Sequence, residues 1–267
     1  MINKKMYMKF TEKYGTDVFQ EGDLYIPNKK PLAILCLYHG GFWLMPYGRE
    51  QLTPIAIDLA RKGFIVWNVE YRRIGAVGGG WHGTFDDVIS SINHLKTLCR
   101  KYHHFDLTKV VVIGHSAGGQ LAIWSGKQYE NRSFTADMLQ IRPNQIIGLA
   151  PVVNLEKAFK NKLGNNSVFQ LLGGSPKDVP ERYACTDPMR MVPLNTPQLL
   201  IHGSLDDELP IEWTRDYVRS TQVAGSDIEY IEINDGGHMD FVDPDSNSIS
   251  ILYNWLLCKY NVSEITK

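Results

Sequence analysis

Lys109-Val110-Val111-Val112-Ile113-Gly114-His115-Ser116-Ala117-Gly118-Gly119-Gln120-Leu121-Ala122 is the stretch whose reading decides the fold. Four β-branched residues run into Gly-x-Ser-x-Gly, and a helix-forming segment follows at once. That order is strand, sharp turn, helix. A serine on such a turn is held in a strained backbone conformation with its hydroxyl lifted clear of the sheet edge. Gly114 and Gly118 flank it because a side chain at either position would crowd the turn. The Ala117 amide then opens the following helix, where unpaired N–H groups and the helix dipole favour negative charge.

Outward from the elbow, buried strands alternate with amphipathic helices. Asp23–Pro27 reads as an edge strand closed by its proline. Residues 32–38 form an apolar run suited to a strand buried on both faces. It stops at His39-Gly40-Gly41-Phe42-Trp43, whose adjacent glycines let backbone amides approach a ligand. Residues 51–62 carry apolar side chains at helical spacing and stop at Gly63. Residues 64–69 are the next buried strand, and a glycine-rich aromatic loop spans 70–83. That loop lacks the Lys-Ser/Thr ending of a phosphate-binding loop. Thr84 is the expected cap of the next helix, with Asp86 and Asp87 in its first turn. Residues 145–153 and 198–201 predict further strands, 211–223 a helix, 228–233 a last strand and 246–260 a closing helix. The polar segment up to Tyr14 is expected to be an arm or a short helix. Residues 154–190, broken by Gly173-Gly174, Pro176, Pro180 and Pro188, interrupt the rhythm and read as a cap insertion laid over the site. The expected fold class is α/β, a mainly parallel sheet covered on both faces, in one domain over residues 1–267.

Composition narrows the function. The chain has 267 residues, 43% of them hydrophobic, and a net charge of −1. That charge gives no electrostatic case for nucleic acid or an acidic membrane surface. No apolar run approaches membrane-spanning length, and Met1–Phe10 shows no signal-peptide core. The four cysteines are dispersed without a Cys-x-x-Cys pair, as suits a reducing, cytoplasmic compartment.

A serine hydroxyl is a weak nucleophile, so it needs a base and the base needs an orienting acid. Ser116, the Asp206/Asp207 pair and His238 occur in the chain order Ser, acid, His, each after an expected strand. Asp206 is chosen by its spacing to Leu209-Pro210. His39 and His202 end strands and read as structural; His94, His103 and His104 read as solvent-facing, and His115 as displaced by the turn. The amides of Ala117, Gly41 and Phe42 are the expected oxyanion donors. Trp43, Tyr71, Trp81, Phe159 and Phe169 are candidates for a substrate pocket, whereas Arg72 and Arg73 read better as salt-bridge partners than as grips for an anion.

These motifs, His39-Gly40-Gly41-Phe42-Trp43, Gly114-His115-Ser116-Ala117-Gly118-Gly119, His202-Gly203-x-x-Asp206-x-x-Leu209-Pro210 and Gly237-His238, resemble the α/β-hydrolase superfamily. Within it, the His-Gly-Gly-x-Trp motif and the run Trp67–Arg73 followed by Gly78-Gly79-Gly80-Trp81 are similar to arylformamidases and related bacterial carboxylesterases. His82 stands where relatives often have proline. The resemblance implies a serine hydrolase cleaving a small carboxylic ester or an N-formyl arylamine, with no metal or organic cofactor. An acyltransferase using the same acyl-enzyme, and a non-catalytic binding protein on this fold, are the rival readings.

Overall fold

The computed structural model describes residues 6–103, 105–129 and 134–261; His104 lies outside them. Eight strands form one sheet: β1 (Tyr7–Lys13), β2 (Glu21–Pro27), β3 (Ile34–Tyr38), β4 (Ile65–Val69), β5 (Val110–His115), β6 (Gln145–Leu149), β7 (Gln198–Gly203) and β8 (Ile228–Ile233). Their spatial order is β1-β2-β4-β3-β5-β6-β7-β8. β1 and β2 run antiparallel to their neighbours, and β3 to β8 are parallel.

The period-2 geometry of a strand sorts its side chains between two cores. On β5, Val110 and Val112 join Cys36, Trp67 and Ile146 on one face. Val111 and Ile113 join Leu35, Leu37 and Ile147 on the other. Helices α1 (Thr53–Lys62) and α10 (Asn247–Tyr260) cover the second face through Ile55, Leu59, Leu252 and Leu256. The first face is covered by α2 (Gly83–Asn93), α4 (Ala117–Gln128) and α9 (Ile211–Val223). Burial on both faces explains why the parallel strands read as continuous apolar runs. Among the described residues no helix is long and apolar enough to cross a membrane.

Several expectations shift. The segment before Tyr14 is a strand, β1, paired along its whole length with β2; its alternating half-exposed pattern hid it. β2 is therefore an inner strand, not an edge. Thr84 does not cap its helix. Its hydroxyl bonds the Arg72 carbonyl at 2.6 Å and accepts from the Gly80 amide at 3.0 Å. Asp87, expected in the first turn of that helix, is buried there and paired with Arg72. The helical run after it breaks at His94 into α2 and α3 (Leu95–Tyr102), and His94 is half-buried against Trp67 instead of solvent-facing. Residues 154–190 contain four short helices: α5 (Leu155–Lys160), α6 (Leu163–Leu172), α7 (Pro180–Thr186) and α8 (Pro188–Met191).

Candidate active site

Every loop expected to carry chemistry leaves the carboxyl edge of the sheet, where open parallel sheets present ligand sites. Ser116 sits between β5 and α4 with φ 55° and ψ −117°, a strained conformation for a residue with a side chain. The surroundings over-determine it. Its amide donates to the Leu149 carbonyl at 2.9 Å, and its carbonyl accepts from the amides of Gly119 and Val152. A Cβ on Gly114 would stand 2.0 Å from the Gly118 carbonyl oxygen. One on Gly118 would stand 2.1 Å from that of Tyr38. Both positions therefore exclude any larger residue.

His238 follows β8 and opens a short 3-10 turn, His238–Val242. Its Nδ1 lies 2.7 Å from Asp206 Oδ2. The carboxylate fixes the proton on Nδ1, leaving Nε2 as the free base. The same Asp206 oxygen lies 2.9 Å from His202 Nε2, whose Nδ1 faces the Thr214 hydroxyl at 2.7 Å. Asp206 Oδ1 accepts from the amides of Glu208 and Leu209. Burial alone would raise the Asp206 carboxyl, but the bonds from His202 and His238 overcome it and hold it well below the usual carboxylate range. Asp207 is exposed. His115 donates from Nε2 to the His238 carbonyl at 3.0 Å and tethers that loop to the elbow. Burial, then the nearby His238, pushes His115 down to about 3, so it stays neutral.

Ser116 and His238 are nearly buried as residues, at 4% and 5% exposure. Yet neither Ser116 Oγ nor His238 Nε2 has a hydrogen-bond partner among the described residues, and neither is among the sealed, unpartnered atoms. Both reactive atoms open outward.

The loop after β3 lies against the elbow: a Cβ on Gly40 would come within 3.1 Å of Ser116 Cβ. Gly41, Phe42 and Trp43 all have positive φ, and the Gly41 carbonyl accepts from the Leu44 amide. Among the described residues, the amides of Gly41 and Phe42 make no backbone bond, and Ala117 is the first residue of α4, so its amide has no intrahelical acceptor. Behind the loop stands a buried network that the sequence reading missed. His39 Nε2 faces Glu70 Oε1 at 3.0 Å, its Nδ1 faces the Gly40 carbonyl at 2.8 Å, and its ring stacks on Tyr71 at 4.3 Å. Tyr71 donates its hydroxyl to the His39 carbonyl at 3.0 Å. Burial would raise the Glu70 carboxyl, but His39 and then Arg73 hold it below its ordinary value. Arg72 and Arg73 are both salt-bridge partners, of Asp87 and Glu70.

Two of the expected pocket residues are elsewhere. Trp43 and Tyr71 are fully buried in the core and line no open surface. Trp81 is half-buried against Phe134 and Phe85, under the Arg182 guanidinium. Phe159 on α5 and Phe169 on α6 face each other with ring centroids 6.4 Å apart. Helix α6 reaches the loop after β3 through Gly164, where a Cβ would stand 2.5 Å from the Phe42 ring.

Comparison with known proteins agrees with this architecture. Esterase LipC of Mycobacterium tuberculosis is 26% identical over 263 residues, which cover 90% of this chain and 63% of that protein. Isoprenylcysteine alpha-carbonyl methylesterase ICME of Arabidopsis thaliana is 24% identical over 246 residues, 85% of this chain and 55% of that protein. The chain thus spans less than two thirds of the length of these relatives. Among solved structures, esterase B of Lactobacillus rhamnosis superposes with a TM-score of 0.80 at 18% identity, covering 96% of this chain and 86% of that one. A truncated carbohydrate esterase from gut microbiota gives 0.79 at 18% identity, covering 97% and 98%. The BD-FAE family model matches residues 23–219, which hold the loop after β3, the Ser116 elbow and Asp206; the chain belongs to the BD-FAE family, on the α/β-hydrolase fold.

Proposed function

We propose that the chain is a serine carboxylesterase acting on a small ester through an acyl-enzyme. One observation carries this reading: the 2.7 Å contact between His238 Nδ1 and Asp206 Oδ2, with His238 Nε2 and Ser116 Oγ left open on adjoining loops. Ser116 attacks the ester carbonyl while His238 Nε2 takes its proton. The amides of Ala117, Gly41 and Phe42 receive the oxyanion. His238 then delivers the proton to the departing alcohol, and water admitted by the same base releases the acid. Residues 154–190 act as the cap of a single catalytic domain.

His238 is the one general acid at the leaving group. An alcohol departs with that help alone, whereas an amine leaves less readily, so esters are favoured over N-formyl arylamines and both over unactivated peptides. The dispersed free cysteines support a reducing, cytoplasmic setting, which fractionation of the native cell would check. A fluorophosphonate probe followed by peptide mass spectrometry tests the central reading. Labelling is expected at Ser116, and Ser116→Ala is expected to lower kcat on an aryl acetate on the order of 10⁴-fold. Labelling elsewhere, or full activity in the alanine variant, overturns it.

A further inference from the structure

Seven of the twelve large apolar side chains that stand exposed among the described residues, Val18, Met45, Tyr47, Val77, Phe169, Leu205 and Met239, lie on loops and helices at the carboxyl edge of the sheet. Two of them adjoin the triad. Leu205 immediately precedes Asp206 and is 62% exposed; Met239 immediately follows His238 and is 56% exposed. Their loops are bound side by side. The Leu205 amide donates to the Gly236 carbonyl at 2.9 Å, and the Asp235 amide to Ser204 Oγ at 3.1 Å, beside the Asp206–His238 contact itself. A lone exposed apolar side chain is ordinary. A pair carried on two cross-bonded loops beside a reactive base is a candidate binding surface.

Chemistry decides what lies on it. His238 must hand its proton to the leaving oxygen, so that oxygen comes within hydrogen-bond reach of Nε2. The alcohol portion of the ester therefore leaves the reaction centre on the His238 side, where Leu205 and Met239 stand. We propose that these two side chains form an apolar shelf for the alcohol portion, and that the enzyme favours esters of long, unbranched, apolar alcohols. The proposal rests on the carboxylesterase reading and adds its substrate class.

Ethyl, butyl, hexyl and octyl acetate share one acyl group and differ only in the alcohol. Each is used below its solubility limit, with acetate release measured. A fully buried methylene contributes about 4-fold in binding, and a shelf that covers one side about 2-fold. For the wild type, kcat/KM is expected to rise about 2-fold per methylene, mostly through KM. In Leu205→Asn/Met239→Gln, both changes neutral and on exposed positions, the octyl-to-ethyl ratio should fall several-fold. Val223→Gln is the control: it removes an apolar side chain 85% exposed at the far end of α9, at the opposite edge of the sheet, and should keep the wild-type ratio. A flat wild-type series, or a ratio that survives the double substitution, overturns the shelf while Ser116-dependent acetate release persists. Loss of all ester hydrolysis together with loss of fluorophosphonate labelling in the wild type would overturn the esterase reading itself.

Discussion

Asp206 Oδ2 stands between two imidazoles, 2.7 Å from His238 and 2.9 Å from His202, while its neighbour Asp207 points to solvent. A carboxylate so enclosed cannot rotate away from His238 without breaking its bonds to the Glu208 and Leu209 amides. Asp206→Asn is expected to lower kcat on the order of 10⁴-fold, because an amide can present the wrong tautomer to His238. Asp207→Asn should stay within a few-fold of wild type, since an exposed side chain without these bonds orients nothing. Steady-state kinetics of the two variants on one aryl acetate settles the choice; the reverse ranking would make Asp207 the acid.

At the scale of elements, residues 154–190, proposed as a cap, touch the loop after β3 where Gly164 meets Phe42. Gly164 has φ 53°, in the left-handed region, and its missing side chain leaves room for the Phe42 ring. Lys162, Asn165 and Asn166 share that left-handed conformation, so the turn has no slack to absorb a methyl group. Gly164→Ala is expected to push the Phe42 ring aside and with it the amide proposed to bind the oxyanion. The expected signature is a kcat lowered about 10-fold with KM little changed, as for a group that acts only on the transition state. Unchanged kcat would mean that the ring yields without moving the backbone. Leu172, on the same helix α6 as the exposed Phe169, is fully buried. Truncating it to alanine should cost about 2–5 kcal/mol of stability, read by chemical denaturation, instead of altering substrate ranking.

For the whole molecule, the buried histidine of the elbow links stability to acidity. His115 titrates at about 3 when folded against an unfolded value of 6.5. Below 6.5 the unfolded chain takes up a proton that the folded one refuses, so this contribution is lost as pH falls from 6.5 towards 3. Asp187 works in the opposite sense. Burial raises it to about 6 from 3.8, so it costs stability as pH climbs through that window and returns it on acidification. At about 1.36 kcal/mol per pH unit, a His115→Gln variant should lose about 2 kcal/mol less than wild type between pH 7 and pH 5. Urea denaturation at the two pH values measures it; equal losses would mean that His115 is protonated in the folded state.

The sequence by itself determined the architecture and singled out the candidate reacting groups. The elbow glycines leave no room for side chains, apolar runs mark strands buried on both faces, and the order Ser116, Asp206, His238 follows the strand order. These are local constraints, written in consecutive residues. Tertiary structure alone decided what lies between them. β1 was hidden because an edge strand half in solvent needs no apolar run. Trp43 and Tyr71 read as pocket aromatics, but the turn at Gly41–Trp43 and the His39–Glu70 network draw them into the core. The stack of His39 on Tyr71 and the contact of Gly164 with Phe42 join residues of different segments. Such pairings depend on how packed layers meet, and no spacing along the chain encodes them.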